Sequence, residues 1–387
     1  MQAEVHEVRD ELAAAEVRAL EAVELLAEGT VLWLHAAGVL IQVRSLAGRF
    51  SDLIAWLDRL GRRAPVDREA AEALARALLR GATQMLKAGR PDVVDSALDH
   101  AHLHIVPLAG GAPQLAAHLE YARGMRRMYD GDLAEAYEAF SGAAGHYEAI
   151  GDWRSALNNR ANAALALIEL GEDAEAELLL RDALSRAARM GMDLIGAYVR
   201  RYLGRVLCQR GDLAEARALA ERALAEMVGR DGPGIEGPLR QLLAETLAAA
   251  GDLERALAEL STALGLLGDF RALRMEALGA QADVLLRAGR AAEAVAAARE
   301  GARLLDAEGG GMGERESRLR LVLVLALDAA GEAEEARAAL DVAARFLLAR
   351  AARIRDPRLR RSFRERVPEN ARTLALARDR LGSTPPS

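Results

Sequence analysis

Apolar residues recur along most of this chain at spacings of three and four, the period of an amphipathic helix. Glycines cut the helical stretches at regular intervals. Eight of them, Gly48, Gly89, Gly131, Gly171, Gly211, Gly251, Gly289 and Gly331, stand 38 to 42 residues apart. From the third onward most open a G-[DE]-x-x-E-A pattern, as in Gly131-Asp132-Leu133-Ala134-Glu135-Ala136 and again at residues 171–176 and 211–216. Self-similarity at a fixed period of this size predicts an all-α solenoid, in which each helical hairpin buries its apolar face on its neighbours. The acid after the glycine suits the first turn of the next helix. Residues 107–113 (PLAGGAP), 230–238 (RDGPGIEGP) and 309–313 (GGGMG) are expected between hairpins, where Gly and Pro end helices.

Small residues mark each unit. Gly124 lies seven residues before Gly131, and Ala136, Phe140 and Ala143 lie five, nine and twelve after it. The same places hold Ala164, Ala176, Leu180 and Ala183 around Gly171, and Gly204, Ala216, Ala220 and Ala223 around Gly211. They hold Ala244, Ala256, Leu260 and Ala263 around Gly251, and Ala282, Ala294, Ala298 and Gly301 around Gly289. Around Gly331 the second helix keeps Ala336, Leu340 and Ala343, but Val324 replaces the small residue of the first. This pattern resembles the tetratricopeptide repeat (TPR). There, small residues in helices A and B let the two pack closely.

The resemblance implies about eight hairpins wound as a right-handed TPR-like superhelix, with helix A lining the concave side. The first two hairpins are degenerate, with Leu53 and Val94 at the helix B alanine position, so the match is clear over 114–345. A period near 40 exceeds the usual TPR length of about 34 and approaches that of HEAT repeats. It suggests longer helices and loops, as in the TPR-like arrays of large bacterial signalling and regulatory proteins, with HEAT-like stacking as the alternative.

The expected organisation is an N-terminal helix within 1–29, read from a helical pattern over 3–28, then the array over 30–345. Basic capping helices follow over 346–381, with a disordered tail over 382–387. The first helix reads equally as a cap or as helix B of a repeat begun outside this chain. Residues 345–380 hold 12 arginines against 4 acids. Their IRDPRLRRSF and VPEN stretches resemble the tail that follows TPR arrays in large bacterial signalling ATPases and kinases.

Composition narrows the function classes. Aromatics make up 4% of a chain that is 51% hydrophobic, so the apolar mass is Ala, Leu and Val, as close helix packing prefers. The net charge of −7 argues against a general nucleic-acid binder. Lys87 is the only lysine among many arginines, which reads as compositional bias. The single cysteine, Cys208, excludes an intramolecular disulfide. The charged N-terminus lacks a signal-peptide core, and the apolar run over 31–43 is too short to span a bilayer. A cytoplasmic location is expected.

Counting back from the glycines places His118, Tyr121, Met125, Asn158, Asn162, Tyr198, Arg201, Tyr202, Arg205, Gln241 and Glu245 on the helix A surface. Asn can hydrogen-bond a peptide backbone, and Arg can pair with a carboxylate or phosphate. The competing reading packs the tyrosines between hairpins and leaves Arg and Asn in water. His100 and His104 share a helix face, but no third ligand accompanies them. GGGMGER lacks the Gly-Lys-[Ser/Thr] of a phosphate loop. The basic C-terminus reads either as a nucleic-acid surface or as a cap whose Phe346, Leu347, Ile354, Leu359 and Phe363 seal the last hairpin, and the cap is favoured.

The expected function is therefore a non-enzymatic scaffold for a protein or peptide, without cofactor or metal. It would serve as the regulatory module of a bacterial signalling system. The alternatives are a small-ligand sensor arm of a regulator and nucleic-acid binding through the basic C-terminus. An open groove would favour a peptide, and a pocket closed at one end with aromatic walls a small ligand. An open array can also form homo-oligomers through either end.

Overall fold

The computed structural model of the protein describes residues 2–3, 6, 11–109, 112–227, 232–268, 270–307 and 315–382, and within these it excludes the side chains of 87, 104, 108, 109 and 307. Helix α1 (Leu12–Leu25) precedes a run of antiparallel pairs. The pairs are α2 (Val31–Leu46) with α3 (Phe50–Gly61), then α4 (Arg68–Gln84) with α5 (Pro91–His100). Helix α5 continues through a π-helical turn, Ala101–Ile105, into α6 (Val106–Ala109). Then come α7 (Pro113–Asp130) with α8 (Leu133–Ala149), α9 (Trp153–Leu170) with α10 (Asp173–Arg189), and α11 (Asp193–Arg210) with α12 (Leu213–Met227). The last pairs are α13 (Pro233–Ala249) with α14 (Leu253–Leu266), α15 (Arg271–Arg287) with α16 (Ala291–Ala307), and α17 (Glu316–Ala329) with α18 (Ala333–Arg353). Two further helices follow, α19 (Pro357–Glu365) and α20 (Pro368–Leu381).

One local device explains the period. All eight recurring glycines end the first helix of a pair in the left-handed region, with φ between 74° and 93°. In each, the amide after the glycine donates to the carbonyl five residues before it, at 2.9 Å. This is the Schellman termination, and a side chain in its left-handed position costs about 1–2 kcal/mol. Of the acids that follow, Asp252 caps its helix by accepting from the Arg255 amide. Asp132 and Glu172 instead bind arginine side chains.

The small residues sit where helices cross, within a pair or between neighbouring pairs. Ala136, Ala176, Ala216, Ala256, Ala294 and Ala336 are all fully buried. A methyl group at Gly124 would stand 2.6 Å from the Phe140 ring, and one at Gly204 2.6 Å from Leu242. Leu53 and Val94 fill the same place in the first two pairs, also fully buried, beside shorter second helices.

Several expectations are corrected. The helix expected over 3–28 ends at Leu25, because Leu26 is extended. Residues 233–238, expected between hairpins, form the first turns of α13. Pro233 occupies the start of the helix, where no amide donor is needed. Pro238 lies inside α13, and the neighbouring glycines leave room for Phe270 against Gly234 and Leu267 against Gly237. Pro107, expected in a loop, lies within α6. The remaining parts of the expected breaks, at 110–111, 230–231 and 309–313, fall outside the described residues.

The array also closes on itself. Phe270 packs edge-on against Phe50, ring centroids 5.3 Å apart, and covers Gly48 at the end of α2. The α18–α19 arm crosses to the turns after α7 and α9. The Arg350 guanidinium covers Gly131, Arg353 donates to the Asp130 carbonyl, and Ser362 donates to the Gly171 carbonyl at 3.1 Å. Leu347, Ile354 and Phe363 are buried with Met128, Leu133, Leu167 and Leu207. Expected to seal the last hairpin, they pack against the third and fourth pairs. The expected capping segment begins inside a continuous helix, since α18 runs to Arg353. Among the described residues no helix is long and apolar enough to cross a membrane.

Candidate functional site

This closure turns the concave side into a channel walled by the first helix of each pair. Its main cavity measures about 680 Å³ and is lined from α2, α4, α7, α9, α11 and α15. The structure brings together His118, Tyr121, Met125, Asn158, Asn162, Tyr198, Arg201 and Tyr202 on its wall. The remaining expected residues, Arg205, Gln241 and Glu245, lie beyond it, in a slot of about 10 Å³ that Arg201 and Tyr202 also border. A space that small holds at most one water.

The slot is filled by the protein's own charges. Glu245 accepts two bonds from Arg315, at 2.6 and 2.8 Å, and one from Arg318 at 2.8 Å. Gln241 donates to it at 2.9 Å, and Arg318 reaches on to Asp283. Burial pushes the Glu245 carboxyl up, but Arg315 and Arg318 outweigh it and hold the group well below the ordinary carboxylate range. Arg315 is held with φ 59°, an uncommon left-handed conformation for a side chain of this size. Arg205 pairs with Glu169 at 2.5 Å and Arg201 with Glu276 at 2.9 Å. Of the residues expected to grip a ligand, Arg205 pairs with Glu169, and Glu245 is bound by Gln241, Arg315 and Arg318.

Nε of Arg205 and Nε of Arg315 have no hydrogen-bond partner in the slot, and the main cavity also has buried polar atoms that lack one. These are Oε1 of Gln42 and Gln84, Nε2 of His118 and Oδ1 of Asn159. Asn159 uses its other amide atom on the Ser155 carbonyl, at 2.9 Å. His118 Nδ1 meets the Tyr147 hydroxyl at 2.5 Å. Burial, helped by Arg76 and Arg80, lowers the His118 pKa to about 3, so the imidazole is neutral near pH 7. Burial likewise raises the Tyr121 and Tyr147 hydroxyls. An unpartnered buried polar group costs about 1–3 kcal/mol, so four around one cavity call for a ligand or ordered water.

Sequence reasoning missed Arg76, Arg80, Gln84, Tyr147 and Glu276. Three of them carried a usable signal. Arg76 and Arg80 stand thirteen and nine residues before Gly89, the offsets of Asn158 and Asn162 before Gly171. Glu276 stands thirteen before Gly289. Tyr147 comes from the second helix of its pair, and only the packing of α8 on α9 brings it to the wall.

The other candidates have plainer surroundings. His102 meets Arg123 at 2.6 Å, and the His104 side chain lies outside the described residues. Among the described residues no cluster of three metal-ligating side chains occurs. The GGGMGER stretch falls mostly outside them. Arginines of the C-terminal region pair with acids far along the chain, Arg358 with Glu172, Arg353 with Asp132 and Arg380 with Asp328.

No family model matches this chain, and no curated protein matches it. Solved structures do match its fold. A Rap protein complexed with competence and sporulation factor aligns with a TM-score of 0.59 at 13% identity, over 90% of this chain and 99% of that one. NprR in complex with its cognate peptide NprX gives 0.54 at 16%, over 86% and 99%. The Rap conjugation gene regulator of the plasmid pLS20, in complex with the Phr* peptide, gives 0.50 at 14%, over 87% and 97%. The fold is thus the TPR-like array of sequential hairpins seen in Rap proteins, not a HEAT array.

Proposed function

We propose that this protein is a regulatory receptor that encloses a short peptide in the main cavity of its channel and acts by binding, without a catalytic step. The observation that carries the reading is the set of unpartnered buried atoms on Gln42, Gln84, His118 and Asn159, which face one cavity. Peptide groups supply the matching donors and acceptors. Asn158 and Asn162, half-buried and one turn apart on α9, offer amides along the same wall. The three similar structures above were each solved with a peptide or a named factor, which supports the same reading. A long partner surface is disfavoured, because the Glu245 cluster fills the channel beyond Tyr202.

A second reading, a small non-peptide effector, has its own support. The volume lies within the roughly 300–1,000 Å³ of ligand pockets, and Tyr121, Tyr147, Trp153, Tyr198 and Tyr202 give it aromatic walls.

Native mass spectrometry with a synthetic random heptapeptide pool tests the proposal. The unaltered chain should retain peptides, and an Asn158→Ala/Asn162→Ala variant with the same melting curve should retain far fewer. Equal retention removes the cavity as the site. No retention by either chain removes the peptide and leaves the small effector.

A further inference from the structure

Two of the unpartnered atoms on the cavity wall belong together. Tyr147 of α8 packs with Ala117 of α7 and Ala156 of α9. Its ring centroid stands 5.5 Å from that of His118, the residue after Ala117. Asn159 follows Ala156 by three residues, so it shares the side of α9 that meets Tyr147. His118 and Asn159 both line the cavity and are only 8% and 2% exposed. Neither His118 Nε2 nor Asn159 Oδ1 has a hydrogen-bond partner among the described residues. The local bonds settle what each atom offers. Asn159 gives its amide N–H to the Ser155 carbonyl at 2.9 Å, so the amide is not turned and Oδ1 is an acceptor. The neutral His118 ring carries one N–H, and its Nδ1 meets the Tyr147 hydroxyl at 2.5 Å. Burial keeps that hydroxyl protonated, and a phenol donates more readily than a neutral imidazole. Nδ1 therefore accepts, and Nε2 carries the proton.

We infer that His118 and Asn159 form a subsite for one uncharged amide of the bound peptide, with Tyr147 as the positioning residue behind it. His118 Nε2 donates to the amide carbonyl, and Asn159 Oδ1 accepts the amide N–H. Tyr147 acts through His118, by holding the tautomer that donates. A carboxylate brings no N–H and would leave Asn159 unmet. An ammonium brings no acceptor and would leave His118 unmet. It would also bury a charge where burial already keeps the imidazole neutral. Either ligand strands a buried polar group, and an amide strands none. The amide is a backbone peptide group or the carboxamide of an Asn or Gln side chain. The inference rests on the peptide reading above.

The test starts from a heptapeptide that the unaltered chain retains from the synthetic random pool. It is remade with one backbone amide at a time replaced by an ester, and with each Asn or Gln replaced by Leu or Met. One replacement should weaken binding roughly tenfold or more, because Asn159 Oδ1 then stays buried without a donor. An ester that does so assigns the backbone, and a side-chain replacement assigns the carboxamide. The same replacement should cost an Asn159→Leu variant less than about twofold, since the acceptor is already gone. With isotope-labelled histidine, magnetic resonance of the unaltered chain should show His118 protonated on Nε2, with that proton moving downfield when the peptide binds. Tyr147→Phe should lose the single tautomer and bind the peptide roughly fivefold or more weakly. An unchanged tautomer in that variant overturns the positioning role. A scan without a sensitive position, or a His118 signal that peptide does not move, overturns the subsite, assigns the two atoms to water and leaves the peptide receptor standing. Those two readings need no variant, so they decide even if Asn159→Leu fails to fold. An undiminished loss in a folded Asn159→Leu also overturns the subsite. A pool from which nothing is retained overturns both subsite and receptor.

Discussion

The two stretches of the channel are built from the same helical unit but leave very different space, about 10 Å³ in one and about 680 Å³ in the other. Beyond Tyr202, Glu245 is held by Gln241, Arg315 and Arg318, and little space is left. On the other side, Gln42, Gln84, His118 and Asn159 leave polar atoms unpartnered around about 680 Å³. Buried polar groups that satisfy each other hold a structure in one register. Groups that await a partner mark where a ligand completes the protein. The Glu245 cluster leaves only the narrow slot where the main cavity ends.

The sharpest way to break this contrast is Glu245→Ala. It leaves Arg315 and Arg318 buried without their shared counter-charge, and it should cost about 3–5 kcal/mol in a denaturant melt. A loss below about 1 kcal/mol would show that the cluster is not structural.

Acid should act on the other stretch. The folded His118 pKa, about 3, lies below its ordinary value of 6.5, so folding favours the neutral ring. That stability is fully present above pH 6.5 and is lost as pH falls toward 3, at up to roughly 1.4 kcal/mol per pH unit. The charged and titratable groups that face the ring are Arg76 and Arg80 from α4 and Tyr147 from α8. His118→Asn should flatten the stability–pH curve over this window. A curve parallel to that of the unaltered chain would reject the assignment.

Asn158→Ala/Asn162→Ala sharpens the comparison from the ligand side. Stability should move by less than about 1 kcal/mol, while peptide affinity falls roughly ten- to hundredfold. Calorimetry and titration together read both numbers.

Closure of the ring rests on smaller contacts. Ser362→Ala removes the bond to the Gly171 carbonyl and should cost about 0.5–1.5 kcal/mol. Arg217→Ala, which breaks a solvent-facing pair with Glu221 outside both stretches, should stay within about 0.5 kcal/mol. If these two proved equal in thermal melts, the arm contact would be no more than a surface contact.

Much of the fold was legible before any coordinate. A left-handed helix end is set by a glycine and its nearest neighbours, so Gly131 and its seven counterparts announce their turns individually. Helix crossings at Ala176 or Ala256 follow from the same spacing. The candidate site was legible only in part. Asn158 and Tyr198 could be reached by counting from a glycine. Arg76 and Arg80 were hidden by a hairpin whose Val94 broke the small-residue pattern.

The sequence by itself determined the hairpin, its period, its turns and the face each first helix presents, because those depend on residues within about one repeat of one another. Only the tertiary structure decided that the array closes. Closure sets Phe270 on Gly48 and Arg350 on Gly131, across 222 and 219 residues of chain. It also decided which inward polar residues find partners. Glu245 meets Arg315 seventy residues away, while Gln84 Oε1 meets no partner among the described residues. Pairing over such separations depends on the summed rotation of many repeats, which no single repeat encodes.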